Sequence, residues 1–199
     1  MVKLFVSTFD RLEYLKESLH SLLNSFSAIY PEIVITDDGS INAETKEFLE
    51  ETKLRYPGKM RIIWNERNKG IPFGKLDTIQ TEILEWPYDH EYFIISDSDM
   101  IYKKGWLENL VYLYESTKAP IITGFNTNTT KYKTTTTTST YEVKHSVPGC
   151  NLLINTAFYK KYPFNEKQEW DIKMCEHAHK EHELGVIASR PSVVESSSK

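Results

Sequence analysis

Tyr92-Phe93-Ile94-Ile95-Ser96-Asp97-Ser98-Asp99-Met100 is an aromatic and branched apolar run that closes on two carboxylates one residue apart. The apolar part reads as a buried strand. In an extended chain residues i and i+2 point to the same side, so Asp97 and Asp99 can face one bound object together. Two like charges held that close repel, which calls for a positive group between them. Hard oxygen ligands suit Mg²⁺ or Mn²⁺. Mg²⁺ is rarely caged by protein alone and usually bridges to phosphate. A polar turn after a strand, where Asp and Ser are common, is the plainer reading of the same residues. An isolated Asp-x-Asp does not decide between them; its neighbours do.

On the amino-terminal side the pattern alternates. Lys3 to Thr8 is a buried strand. Asp10 with Glu13 makes an N-cap signature, and Leu12, Leu15, Leu19, Leu22, Leu23 and Phe26 recur at helical spacing. Glu32 to Thr36 is a second strand, stopped by Asp37-Asp38-Gly39-Ser40. A helix from Glu44 to Arg55 closes at Pro57-Gly58, and Met60 to Trp64 is a third strand. After the turn Asn68-Lys69-Gly70, Pro72 opens a helix running to about Trp86. Past the Asp97/Asp99 strand come a helix over about Gly105–Ser116 and a strand over Pro120–Gly124. Strands alternating with helices predict an α/β fold: a mostly parallel central sheet with helices on both faces and right-handed crossovers.

From Asn126 to Thr140 the pattern breaks. Five consecutive threonines, Thr134 to Thr138, stand in a stretch with almost no apolar content. It reads as a loop or an exposed β-ribbon, and as a candidate lid over a bound donor. Gly149 to Ile154 is another strand, followed by helices near Thr156–Tyr162 and Asp171–Glu183 and a last strand over Gly185–Ser189. One domain over residues 1–195 is expected, with a frayed tail at 196–199.

Composition narrows the class. With 199 residues and 40% hydrophobic content the chain can bury one substantial core. Its net charge of −4 gives no general affinity for nucleic acid or anionic membranes. No apolar run reaches the roughly 18 residues of a membrane span. Cys150 and Cys175 lack metal-site spacing and fit a reduced, cytoplasmic setting, with a membrane reached only through an acceptor or a partner.

Three strand ends carry distinctive polar groups: Ser7-Thr8-Phe9-Asp10-Arg11, Asp37-Asp38-Gly39-Ser40 and Asp97-Ser98-Asp99. In an open α/β sheet ligands bind outside the carboxyl ends of the strands, so all three belong to one rim. Neither GxGxxG nor GxxxxGK[ST] is present, which leaves phosphates to be held by a metal rather than by a backbone cradle.

In order, the segments T-F-D-R, V-I-T-D-D-G-S, N-K-G-I-P-F-G-K, I-S-D-S-D-M, P-G-C-N-L-L-I and Q-E-W-D-I resemble a GT-A-fold glycosyltransferase of the family 2 type, over nearly the whole chain. The resemblance implies a metal-dependent transfer of sugar from a nucleoside-diphosphate sugar to an acceptor hydroxyl, with inversion. It implies that Thr8 and Asp38 hold the base, and that Ser7, Phe9 and Arg11 belong to the nucleotide site with them. A carboxylate only accepts hydrogen bonds, which suits the imide N–H of uracil; guanine also has donors, so a GDP-sugar stays open. Asp97 resembles the ribose or metal ligand and Asp99 the principal ligand of Mn²⁺ or Mg²⁺. Lys75 stands where the family usually has arginine, and lacks the bidentate fork. The second acid of the family's E-D-W-D-L motif, the usual catalytic base, falls on Glu169, with Asp171 as the competing candidate. Ser196 stands where relatives often carry a metal-reaching histidine. The histidines His177, His179 and His182 read as a solvated polar face.

A nucleotidyltransferase is the alternative enzyme, but it normally shows a glycine-rich basic loop after the first strand, and Ser7 to Arg11 has no glycine. A non-catalytic nucleotide-sugar-binding module is the third reading. The acceptor, whether a glycan, a lipid-linked species or another hydroxyl compound, is not encoded in any motif here.

Overall fold

Residues alternate along each central strand between two hydrophobic layers. Leu4 and Val6 of the first strand, Ile33 and Ile35 of the second and Ile94 of the fourth enter one layer. Phe5, Val34, Phe93 and Ile95 enter the other. Period-two alternation with both faces covered needs helices on each side. A computed structural model shows that arrangement, and describes residues 2–84, 90–127, 129–163 and 169–197.

The chain runs β1 (Lys3–Thr8), α1 (Leu12–Ser25), β2 (Glu32–Asp37), α2 (Ala43–Arg55), β3 (Met60–Trp64), then a π-helical turn (Ile71–Leu76) that continues as α3 (Asp77–Leu84). It goes on through β4 (Tyr92–Asp97), β5 (Met100–Tyr102), α4 (Trp106–Thr117), β6 (Ile121–Thr123), β7 (Thr134–Thr137), β8 (Tyr141–Lys144) and β9 (Asn151–Asn155). The last elements are α5 (Thr156–Lys161), α6 (Trp170–Glu181), β10 (Val186–Ser189) and β11 (Val194–Ser196). Residues of α1, α2 and α4 fill one layer with the sheet; residues of α3, α5 and α6 fill the other.

The main sheet has the order β3-β2-β1-β4-β9-β6-β10-β8-β7, and β11 pairs separately with β5. The parallel character expected from sequence holds for β3, β2, β1 and β4. Beyond them β9 runs antiparallel to both β4 and β6, and β8 antiparallel to β10, so the sheet is mixed. No helical crossover lies between β8 and β9 to mark this from sequence; they are joined by a loop.

Several local expectations change. Asp10 does not cap α1. It sits at φ 45, and its carboxylate accepts from the backbone N–H groups of Ile41 (3.3 Å) and Asn42 (3.0 Å). It therefore ties the first strand end to the loop before α2. The frayed tail does not begin at Ser196: that residue pairs with Met100 in the β5–β11 ladder. Ser197 donates from its N–H (2.8 Å) and hydroxyl (2.9 Å) to the Asp99 carbonyl. Residues 198 and 199 lie outside the described residues, as do Trp86 and Gln168.

The threonine-rich segment takes the ribbon form, with β7 antiparallel to β8. Its anchor is Lys144, a fully buried lysine whose Nζ donates to the Thr134 hydroxyl (2.8 Å) and the Thr127 carbonyl (3.2 Å) and pairs with Glu142 (2.9 Å). His179 is no part of a solvated face. Its Nε2 lies 3.0 Å from the Lys144 carbonyl and 3.1 Å from that of His145, so it braces α6 against the ribbon.

Candidate active site

The register of β1 sets the site. Ser7 is opposite Asp97 of β4 on one side and Thr36 of β2 on the other, and Thr8 is opposite Asp37. The three polar strand ends therefore share one rim, at the point where the order 3-2-1-4 reverses direction. Ligands of open α/β sheets collect at that kind of crevice. A cavity of about 320 Å³ opens there, lined by Ser7, Thr8, Phe9, Arg11, Asp38, Asn68, Gly70, Lys75, Asp97, Ser98 and Asp99.

The two aspartates of the β2 turn divide the work. Asp37 is fully buried, accepts the Ser40 N–H at 3.0 Å and takes a short hydrogen bond from the Ser40 hydroxyl. It shapes the turn and does not reach the cavity. Asp38 reaches it, but its carboxylate also organises the far wall. Oδ1 accepts from Asn65 Nδ2 (2.9 Å), Oδ2 from the Gly70 N–H (2.9 Å), and the Lys69 N–H is shared between them at 3.2 and 3.1 Å. The carboxylate has about four lone-pair sites, so three donors leave room for one more. Thr8 lines the same cavity with its Oγ1 buried and, among the described residues, without a hydrogen-bond partner. A buried hydroxyl left unpaired is costly unless something binds it.

Each candidate metal ligand carries its own cation. Lys75, 5% exposed, forms an ion pair with Asp97 and donates to the Gly149 carbonyl at 2.9 Å. Arg11, 48% exposed, pairs with Asp99 at 3.0 Å while its guanidinium lies 4.6 Å from the centre of the Tyr14 ring. The repulsion between the two carboxylates is thus relieved by side chains of this chain. Lys75 serves the candidate nucleotide site as the charge partner of Asp97. Among the described residues no group of three or more His, Cys, Asp or Glu side chains converges as a complete metal cage. Two hard carboxylates fit a divalent ion that completes its shell with phosphate oxygens and water.

The thiol of Cys150 lies beside the same charges. Burial, with the nearby Asp97, pushes it up to about 12; it is an inert neutral group at ordinary pH.

Neither Glu169 nor Asp171 lines the cavity. Glu169 precedes α6 with a left-handed backbone, φ 53, and Asp171 accepts the Ile172 N–H at 3.0 Å in the first turn. Trp170 between them connects this helix start to the cavity. Its ring lies where a Cβ on Gly149 would be, and Lys75 Nζ sits 5.8 Å from its centre. Sequence reading missed Asn65, Asn68 and Ser98. Asn68-Lys69-Gly70 stood out as a turn and as the start of the N-K-G-I-P-F-G-K segment, but no role was drawn for Asn68, although a turn facing the Asp38 strand end was the available signal.

The sequence signature described as Glycosyl transferase family 2 matches residues 4–175, most of the chain. The chain belongs to glycosyl transferase family 2. Its strand ends, cavity and α6 start all fall within or beside that match. Over 74 residues, 36% of this chain, it is 33% identical to polypeptide N-acetylgalactosaminyltransferase 9 of Homo sapiens, covering 12% of that protein. Solved structures share the GT-A fold. A GalNAc-T7 structure with UDP, GalNAc and Mn²⁺ matches at a TM-score of 0.71 with 12% identity, over 95% of this chain and 43% of that one. The mannosyltransferase PcManGT of Pyrobaculum calidifontis, with GDP-Man and Mn²⁺, matches at 0.68 with 12% identity, over 94% and 56%. S. aureus TarS 1-349 with UDP-GlcNAc matches at 0.65 with 17% identity, over 94% and 55%. This family 2 chain thus spans about half the length of those solved structures. Among its described residues no helix is long and apolar enough to cross a membrane.

Proposed function

We propose that this chain is a glycosyltransferase that moves a sugar from a nucleoside-diphosphate sugar to an acceptor hydroxyl, with inversion at the anomeric carbon. The observation that carries the reading is the convergence of Thr8, Asp38, Asp97 and Asp99 on one cavity at the sheet's switch point. A UDP-sugar is favoured, because the remaining acceptor position on Asp38 matches a single imide N–H. A GDP-sugar is the second possibility, in keeping with the GDP-Man held by the Pyrobaculum enzyme.

Asp97 and Asp99 are the residues that would hold Mn²⁺, the ion present with GalNAc-T7 and PcManGT. Bound there, it would supply Lewis-acid neutralisation of the departing diphosphate. The chain's own groups do the rest. Thr8 and Asp38 bind and orient the base, while Phe9 offers an exposed ring at the cavity mouth. Lys75 fixes Asp97 in place. Glu169, or Asp171 next along α6, takes the proton from the attacking acceptor hydroxyl, a contribution of about 10²–10⁴-fold for a positioned base. The threonine-rich stretch around β7 would serve the acceptor side as a lid that excludes water. Cys150 and Cys175 are both free thiols, in keeping with a reducing compartment such as the cytoplasm.

The test is a panel of UDP- and GDP-sugars incubated with the protein and Mn²⁺, read as nucleoside diphosphate release. Release from at least one sugar donor, lost on chelation, supports the reading. Pyrophosphate formation from a nucleoside triphosphate and a sugar phosphate would replace it with a nucleotidyltransferase, and binding without turnover with a non-catalytic module.

A further inference from the structure

The two cations on the candidate metal ligands are not equivalent. Lys75 is enclosed, held at once by Asp97, the Gly149 carbonyl and the Trp170 face. It is part of the wall. Arg11 is half exposed and reaches Asp99 from the β1–α1 connection, resting on Tyr14. Exposed ion pairs of this kind are worth about 0.2–1 kcal/mol and break readily. Arg11 also lines the cavity in which a diphosphate must lie.

Resting on the donor site proposed above, we propose that Arg11 is a displaceable counter-ion that couples cation binding to nucleotide binding. Without nucleotide, its guanidinium occupies Asp99 Oδ2 and competes with a divalent ion for that oxygen. When a nucleoside diphosphate enters, Arg11 exchanges the carboxylate for phosphate oxygens, which its planar fork suits, and Asp99 is released to the ion. The exchange conserves charge pairing: one Arg–carboxylate contact is lost as one Arg–phosphate contact forms. Tyr14 keeps the guanidinium at the cavity edge in both arrangements. Arg11 is a positioning residue in this scheme and takes no part in bond breaking. The ion alone then binds weakly, and the ion with its diphosphate binds well.

The distinguishing feature is opposite signs. Removing Arg11 relieves competition for the ion but removes a phosphate contact. Mn²⁺ binding is measured by electron paramagnetic resonance without nucleotide, and UDP binding by calorimetry at saturating Mn²⁺, for the wild type, Arg11→Gln and Arg11→Lys. Arg11→Gln is expected to bind Mn²⁺ alone about 1.5- to 5-fold more tightly, the range that an exposed pair converts to. Its UDP affinity in the presence of Mn²⁺ is expected to fall about tenfold, as loss of a charge-assisted contact implies. Arg11→Lys keeps the charge and loses the fork, so it should hold Mn²⁺-alone affinity near wild type and recover only part of the UDP affinity. Arg11→Gln lowering or sparing Mn²⁺-alone affinity overturns the proposal. So does a wild type that binds Mn²⁺ equally well with and without UDP. Failure of the donor site itself reads differently: the wild type then binds no nucleoside diphosphate at all.

Discussion

The Asp38 carboxylate occupies the space that a side chain on Gly74 would need. The π-helical turn can approach the β2 end only because residue 74 has no Cβ. Gly74→Ala is therefore expected to push Asp38 off Asn65, Lys69 and Gly70 at a cost of about 1–3 kcal/mol, the usual range for overpacking. UDP affinity should fall with it. Thermal denaturation and calorimetric titration check both effects; an alanine variant with wild-type melting and affinity would show that the turn moves away freely.

Asp38→Asn removes charge but keeps one accepting oxygen. Because the same carboxylate carries three N–H donors, nucleotide affinity and stability are both expected to drop, each by about 1.5–3 kcal/mol. Titration with UDP and urea unfolding measure the two. A large loss of affinity with unchanged stability would mean that the Asn65–Gly70 wall holds without Asp38.

Asp99→Ala leaves the core untouched, since the carboxylate faces the cavity and pairs with exposed Arg11. Transfer is expected to vanish while the melting temperature stays near wild type, and the thermal shift given by Mn²⁺ plus UDP should disappear. Persistent metal-dependent turnover would place the ligand elsewhere.

The base assignment is decided by comparing Glu169→Gln with Asp171→Asn. A base acts on the acceptor, so the correct variant loses turnover by about 10²–10⁴-fold and keeps donor affinity. Glu169→Gln is expected to be that variant. An active Glu169→Gln beside a dead Asp171→Asn moves the role two residues along, into the first turn of α6.

Glu108 supplies a pH prediction remote from the cavity. Its Oε1 accepts from the Ser27 hydroxyl (2.8 Å) and the N–H groups of Ala28 (2.7 Å) and Ile29 (3.0 Å). Burial alone would raise its pKa, but these donors outweigh it and hold the carboxyl down at about 2, against an ordinary 4.5. The folded pKa is the depressed one, so the stabilisation is complete above pH 4.5 and drains away as pH falls toward 2. Glu108→Gln should be less stable than wild type at pH 7 by about 1.5–3 kcal/mol. It should also lose less between pH 4.5 and 2. Parallel stability curves for the two proteins across that window would contradict this.

How far the sequence reached depends on range. The parallel strands and the shared rim were legible because strand periodicity and turn residues are local signals, and Ser7, Thr8, Asp38, Asp97 and Asp99 all stand at strand ends. Pairings across long separations were not. Nothing near Asp10 shows that its carboxylate serves Asn42 rather than its own helix, and nothing near Lys75 shows that Asp97 and Gly149 enclose it. The antiparallel β9 escaped because a strand's direction is set by its neighbours, which its own pattern does not name. Glu169 and Asp171 were found by motif alone, and geometry leaves them beside the cavity, linked to it through Trp170.

The pairing of β11 with β5 has a consequence for how the protein is made. Ser197 holds the Asp99 carbonyl from 98 residues further along the chain. A ribosome delivers β1 to β4 early, and domains begin to fold from the amino terminus during synthesis. The loop that carries Asp99 receives its last partners only when residues 194–197 emerge. A nascent chain should therefore acquire the Asp38–Asn65–Gly70 wall well before the loop that carries Asp99 is finished, and the cavity matures only once residues 194–197 have been made.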